Sequence, residues 1–404
     1  MKSLVPVAEA QARLLGAAKP VTATETVALA EADQRVLGRD VQALLTQPPF
    51  NASAMDGYAL RAVDAPQIGS ILTVIGTAAA GHAFSGRVGE GQAVRIFTGA
   101  PVPEGADAVL IQEDAEVLEG GNIRTNFEVM VGRHIRPCGQ DFAQGESALK
   151  AGTELTFANI TLAAAMNHAE LTVYRKPVVA ILATGDELVQ PGGTPNPAQI
   201  IASNTFGVAA LARKAGADIL DLGIVPDNDA LIQAAINKAV AAKADILVTL
   251  GGASVGDHDL VQAALKSQGM TLDFWRIAMR PGKPLMVGSI GETQVLGLPG
   301  NPVASLVCSL LFLEPLIRKL AHRQPLSRET TAKTATPLKA NDIRQDYLRA
   351  RIIGHENGIP IVEAFTKQDS SMMKIMAQSD CLIVRAPFAP ELDVGGECVV
   401  VVLK

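Results

Sequence analysis

Cysteine is scarce in this chain, and the few cysteines present are far apart. There are four, Cys138, Cys308, Cys381 and Cys398, with no Cys-x-x-Cys pair among them. That excludes a disulfide framework and a cysteine-rich zinc site. The six histidines are equally scattered. Aromatic residues make up only 4% of the chain, so its interior must be built from Ala, Val, Leu and Ile. Long hydrophobic runs are missing too. The longest, Pro302 to Leu313, is too short to span a bilayer. The N-terminus meets Glu9 and then Gln11 before any apolar signal core can form. No excess of positive charge exists; the formal charge is -6, which argues against wholesale nucleic-acid binding. The expectation is a soluble, cytoplasmic protein that binds neither nucleic acid nor membrane. Several catalytic signatures are also absent. No Gly-x-x-x-x-Gly-Lys-Ser/Thr element or dinucleotide fingerprint occurs, which disfavours a conventional ATPase or dehydrogenase. A Gly-x-Ser-x-Gly string does occur, Gly252-Ala253-Ser254-Val255-Gly256, but no plausible Ser/His/Asp order accompanies it to make a hydrolase elbow.

What is present is a long, apolar, turn-rich chain. Its 404 residues are 48% hydrophobic, enough for about two to four domains with real cores. The 36 Gly and 23 Pro are spread along it, which signals many ordered turns. The texture changes in stages. Residues from Val7 to Leu45 read as Ala-rich and helical, including a second helical piece from Thr24 to Val36 with Leu29, Ala32 and Val36 at inward spacing. Between Ile71 and Glu128 short strands alternate with glycines, as in a small all-β unit. Helical sequence resumes from Thr156 to Ala169. From Lys176 strands and helices alternate, the pattern of an α/β domain. After a polar linker, Tyr347–Ile353, Ile359–Phe365 and Val399–Leu403 read as strands of a small barrel or sandwich. The boundaries that follow are 1–45 with 146–175 for a helical domain and 46–145 for an inserted β domain. An α/β domain then takes 176–326, and a C-terminal β domain takes 327–404.

In the α/β region the strand ends carry the chemistry. Ile246 to Leu250 is an apolar run typical of a strand covered on both faces. It stops in Gly251-Gly252-Ala253-Ser254-Val255-Gly256-Asp257-His258-Asp259. Another strand ends in Thr184-Gly185-Asp186-Glu187, and a third in Pro226-Asp227-Asn228. A fourth leads to Arg276 and then Arg280-Pro281-Gly282-Lys283. A fifth ends in Pro299-Gly300-Asn301-Pro302, where Asn301 suits an N-cap and Pro302 a first helical turn. Parallel strands with right-handed crossovers would gather these loops at one sheet edge. Glycine turns and a helix start offer N–H groups to a phosphate or oxyanion, and Arg276, Arg280 and Lys283 offer positive charge. Separate carboxylates suit Mg²⁺, which takes oxygen ligands. Each part alone is equally an ordinary turn or helix cap.

The motifs as a set resemble those of the molybdopterin molybdenumtransferases, the MoeA family, related to the E domain of gephyrin. They are Thr184-Gly185-Asp186-Glu187-Leu188, Gly251-Gly252-x-Ser254-Val255-Gly256-x-x-Asp259, Pro281-Gly282-Lys283-Pro284 and Gly297-Leu298-Pro299-Gly300-Asn301-Pro302. Ser53-Ala54-Met55-Asp56-Gly57-Tyr58-Ala59, Phe97-Thr98-Gly99-Ala100 and Arg136-x-x-Gly139-x-Asp141 fit upstream. The resemblance implies a multidomain α/β protein. Its central three-layer domain would be similar to the molybdopterin adenylyltransferase fold, joined to a helical domain, an inserted β domain and a C-terminal β barrel. It also implies a homodimer with a shared active site. The implied reaction inserts molybdate into adenylylated molybdopterin, with Mg²⁺, and releases AMP. Contact with a molybdopterin adenylyltransferase and with acceptor molybdoenzymes would follow.

Carried over by motif, Asp56, Thr98, Asp141, Glu187, Asp227 and Asp259 become catalytic candidates. Thr184, Gly185, Gly251, Gly252, Ser254, Arg276, Arg280, Lys283, Pro299, Asn301, Pro302 and Arg136 become substrate-binding candidates, and Glu187, Asp257 and Asp259 metal ligands. Ser371 and Arg349 are further candidates for the pocket. Two features depart from the family pattern. Arg276 and Arg280 stand where Lys is frequent, replacing a point charge by a planar fork. Asp257 stands where Glu is common. Two alternatives stay open on sequence: an adenylyltransferase of the same fold, and a non-catalytic scaffold like gephyrin.

Overall fold

The computed structural model describes residues 4–251 and 260–403. The chain divides into two compact units, residues 1–25 with 174–404, and residues 26–173.

The larger unit is built on a six-stranded sheet. Its strand order is Asp218–Val225, Val178–Thr184, Ile246–Leu250, Thr293–Leu298, Met286–Ile290, Thr271–Trp275. The first four are mutually parallel. Met286–Ile290 opposes both of its neighbours, so Thr271–Trp275 points the same way as the parallel set. Strand side chains alternate between faces, and the cores record it. Val179, Ile181 and Ala183 face one core, with residues of helices Val7–Ala17, Asn204–Ala215 and Pro302–Cys308. Ala180 and Leu182 face the other, with helices Asp229–Ala241 and Leu260–Ser267. The result is three layers, with the central strands Val178–Thr184, Ile246–Leu250 and Thr293–Leu298 buried on both sides, as continuous hydrophobic runs require. The helix that begins at Pro302 continues through a π-helical stretch, Ser309–Leu313, into Glu314–Leu320.

The C-terminal region closes on itself. Gln345–Glu356 pairs with Ile359–Ala364, which pairs with Glu329–Thr334, then Glu397–Val402, then Cys381–Arg385, which returns to Gln345–Glu356. Ala332, Ala350, Val362, Ile383 and Val400 fill this five-stranded barrel. Closure leaves no strand edge open for pairing.

In the smaller unit, a six-stranded sheet runs Ala108–Ile111, Gly57–Leu60, Gln92–Ile96, Ile71–Ala78, Asn122–Thr125, Ala115–Val117. Tyr58 and Leu60 enter one core and Ala59 the other. Helix Phe157–Ala165 starts in a capping box between Thr156 and Asn159. The expected helix at Thr24–Val36 is not there. Thr24–Ala28 is a strand, followed by a single 3-10 turn at Leu29–Glu31. Thr24, Thr26 and Val27 are β-branched and favour strand. Ala32 and Val36 do point inward, but Ala32 ends the 3-10 turn and Val36 sits in a β-bridge to Glu154.

Asp40 in this unit is held by the Ala151 N–H at 2.9 Å, by Lys150 Nζ at 2.9 Å and by Ser147 Oγ at 3.1 Å. These bonds, the Ala151 N–H first, draw its carboxyl down from 3.8 to about 2. A depressed folded-state pKa contributes stability above the unfolded value that is lost as pH falls through the folded one. Acid titration from pH 4 to pH 2 should therefore loosen the Asp40 anchor. In Asp40→Asn that part of the acid dependence should vanish, which urea melts across this range would measure.

Candidate functional site

The parallel strands of the large sheet end together, and a cavity of about 680 Å³ opens at that edge. Thr184, Glu187, Gly251, Pro284, Asn301 and Pro302 are among its lining, so four of the five strand-end motifs reach it, the Asp227 loop being the exception among the described residues. Two glycines make the packing possible. At Gly251 (φ +97°) an added Cβ would stand 2.9 Å from the Thr184 carbonyl, so the two loops touch through bare backbone. At Gly185 (φ +145°) an added Cβ would lie 2.3 Å from Glu187 Oε2. The Glu187 carboxylate thus occupies the space that a side chain at 185 would fill. It is exposed and takes no hydrogen bond or ion pair among the described residues, which suits an oxygen ligand for a hard cation. Beside it Asp186 Oδ1 accepts the Asp227 N–H at 3.1 Å. Asp227 itself is exposed, with a free carboxylate among the described residues. Among those residues no group of three or more His, Cys, Asp or Glu could hold a metal. Gly252, Ser254, Asp257 and Asp259 lie outside the described residues.

The helix start is used differently from the sequence expectation. Asn301 occupies the N-cap position without a capping bond. Its Nδ2 donates instead to Ser370 Oγ at 3.0 Å, and the Val303 N–H is taken by the Ser370 carbonyl at 3.0 Å. Ser371, from the barrel domain, lines the cavity, and its N–H and Oγ both donate to Asp369 Oδ1. Arg349 is fully buried and lies outside the cavity lining; its three guanidinium nitrogens have no partner among the described residues. Burial lowers its pKa.

The three cations following Thr271–Trp275 divide. Lys283 is half-buried and unpaired among the described residues, next to the lining residue Pro284. Arg276 (φ +75°) stacks on the Trp275 ring at 4.2 Å, with its Nε buried and unpartnered among the described residues. Arg280 is engaged: its Nε donates to Asp346 Oδ1 at 2.8 Å and its Nη2 to Asp346 Oδ2.

Some lining residues escaped the sequence reading. Asn204 Nδ2 donates to the Gly300 carbonyl at 2.7 Å. Leu188, Ile200 and Ile201 form an apolar wall on a two-stranded flap, Leu188–Val189 with Ile200–Ile201. Ile200 is 59% exposed, and an apolar pair between polar, Pro- and Gly-rich stretches was the available signal.

In the smaller unit Asp56 and Thr98 meet. Asp56 Oδ1 accepts the Thr98 N–H at 2.7 Å and Thr98 Oγ1 at 2.8 Å. The Thr98 N–H, then its hydroxyl, lower the Asp56 pKa, with a smaller push from the Arg95 charge. Arg95 lies 5.0 Å from both the Tyr58 and Phe97 rings and donates to the Gly57 carbonyl. In Thr98→Val the hydroxyl bond is lost, so the Asp56 pKa should rise toward its ordinary value in an NMR titration. Arg136 and Asp141 are both exposed and do not pair with each other; neither side chain has a partner among the described residues.

Loops converging on a carboxylate, with glycines admitting backbone contact, define the ligand-binding edge of an α/β enzyme. The comparisons sharpen this class. Residues 5–167 match the family profile described as MoeA N-terminal region (domain I and II). Residues 180–319 match probable molybdopterin binding domain, and residues 331–403 match MoeA C-terminal region (domain IV). A molybdopterin molybdenumtransferase of Haemophilus influenzae is 36% identical over 378 residues, 93% of each chain. One from a Nostoc species is 40% identical over 304 residues, covering 74% of this chain and 69% of its own. The solved molybdopterin biosynthesis MoeA protein from Pyrococcus horikoshii superposes over the whole of both chains with a TM-score of 0.84, at 28% identity. The chain belongs to the molybdopterin molybdenumtransferase (MoeA) family, and is a transferase of that kind. No helix among the described residues is long and apolar enough to cross a membrane.

Proposed function

We propose that this protein acts in molybdenum cofactor biosynthesis, inserting molybdate into adenylylated molybdopterin and releasing AMP. The observation that carries the reading is the cavity in which the free Glu187 carboxylate, the bare backbone of Gly251 and the Pro299–Pro302 turn face one another. An apolar wall and a polar floor suit a ligand with a flat heterocycle at one end and a charged arm at the other. Leu188, Ile200, Ile201 and Met373 would cover the heterocycle. Lys283 and Arg276 would attract the pyrophosphate and the molybdate dianion. Glu187, with Asp257 and Asp259, would hold Mg²⁺, which would supply charge neutralisation at the pyrophosphate bond to be cleaved. Asp227 would orient the attacking oxygen nucleophile. In a homodimer with a shared site, Asp56, Thr98, Arg136 and Asp141 would come from the partner subunit. Such a protein would work in the cytoplasm, receiving its substrate from an adenylyltransferase and passing cofactor to acceptor molybdoenzymes.

The test is direct. Purified protein receives adenylylated molybdopterin and Mg²⁺, with and without molybdate, and AMP is measured. Molybdate-dependent AMP release is the expected result. A protein that binds the pterin nucleotide yet releases no AMP in response to molybdate would overturn the reading.

A further inference from the structure

We propose that Asp346 of the barrel is a positioning residue for the cationic turn Pro281–Lys283, and that Arg280 serves as its strut rather than as a substrate ligand. The turn leaves the sheet after Thr271–Trp275 and re-enters it with Met286–Ile290. Its base is closed by Ile277 N–H to Lys283 O at 2.9 Å and Arg276 N–H to Leu285 O at 3.0 Å. From one side Gly282 (φ +111°) rests on Cys308, whose Sγ would lie 2.6 Å from a Cβ added there. From the other side the barrel takes hold. Met279–Arg280 pairs in parallel with Gln345 and Asp346, and the Gln345 N–H donates to Ala278 O at 2.8 Å.

The side chains complete the grip. Asp346 is only 6% exposed and receives both prongs of the Arg280 fork. Asp342 stands 3.5 Å from Arg280 Nη1. A buried carboxylate without its partner is strongly unfavourable, so the pair stays closed. A Lys at 280 would supply only one point of contact. With Arg280 committed to Asp346, Lys283 is the unpaired ammonium of the turn among the described residues. An ammonium carried on a turn pinned from two sides meets an anion with little reorganisation.

The role rests on the proposed reaction, so its test has an arm independent of activity. In full-length Asp346→Asn, amide hydrogen exchange across residues 277–286 should accelerate while the remaining sheet strands keep their protection. In the AMP-release assay, KM for one anionic substrate should rise about tenfold, the scale of one weakened charged contact, with kcat within about threefold. Lys283→Met should raise the same KM, and the double variant should be no worse than Lys283→Met, because both changes remove one contact. Arg280→Lys, which keeps the charge and loses the fork, should reproduce Asp346→Asn if the latter folds poorly. Unchanged exchange in 277–286, or additive effects of the two changes on KM, would overturn the proposal. If the wild-type protein releases no AMP, the reaction assignment fails, and the exchange measurement still decides whether Asp346 holds the turn.

Discussion

Glu187→Gln is expected to lower kcat for molybdate-dependent AMP release by on the order of 10²- to 10³-fold, the range for one group aimed at developing charge. Binding of the pterin nucleotide should change by only a few-fold. The replacement keeps the shape and removes the charge, in a side chain that makes no hydrogen bond or ion pair among the described residues. The fold therefore has little to lose, and the melting temperature should hold. Gly185→Ala provides a second route to the same result. Its methyl would lie 2.3 Å from Glu187 Oε2 at a φ of +145°, so the carboxylate must move or the backbone must strain. The two variants should share one kinetic signature, a fall in kcat with KM for the nucleotide nearly constant. Full turnover in Glu187→Gln would remove Glu187 from the chemistry.

The second large effect is on stability. Gly57 lies in a strand paired on both sides, with Gln92–Ile96 and Ala108–Ile111. A Cβ there would stand 1.9 Å from the Leu110 carbonyl oxygen. That atom belongs to a ladder and cannot swing away as a flexible side chain would. Gly57→Ala should destabilise the 26–173 unit by more than about 3 kcal/mol, beyond ordinary overpacking. Urea unfolding followed by limited proteolysis should show this unit opening first. The Asp56–Thr98 pair would go with it, because Gly57 follows Asp56 directly and Arg95 grips the Gly57 carbonyl. A melt within about 0.5 kcal/mol of wild type, the scatter of ordinary surface changes, would show that the strand can shift to admit the methyl group.

The sheet was legible because strands covered on both faces must be apolar throughout. Val178–Thr184 and Ile246–Leu250 announce themselves by run length and by the glycines that stop them. The loops after them were legible for a related reason: only small residues fit where Thr184 O and Gly251 touch. Thr24–Val36 departs from the expected helix because an inward spacing of three and four residues is met as well by a turn that runs into a β-bridge. The state of Arg280 was invisible for another reason. Its partner Asp346 lies 66 residues further on, and nothing local distinguishes a guanidinium awaiting an anion from one already satisfied. Asn301 shows the same limit: an N-cap residue by type, it spends its side chain on Ser370.

The burial of three cysteines has a practical side. Cys308, Cys381 and Cys398 are enclosed, and Cys138 is exposed. Enclosure pushes the Cys308 thiol far up and the Cys381 thiol to about 12, so neither offers thiolate to an alkylating reagent at neutral pH. The native chain therefore arrives with a single chemical handle, placed between Arg136 and Asp141. A maleimide dye attached there would give a stoichiometric optical reporter without any cysteine having to be engineered in or out. Its emission during turnover would tell whether that stretch changes surroundings when the nucleotide binds.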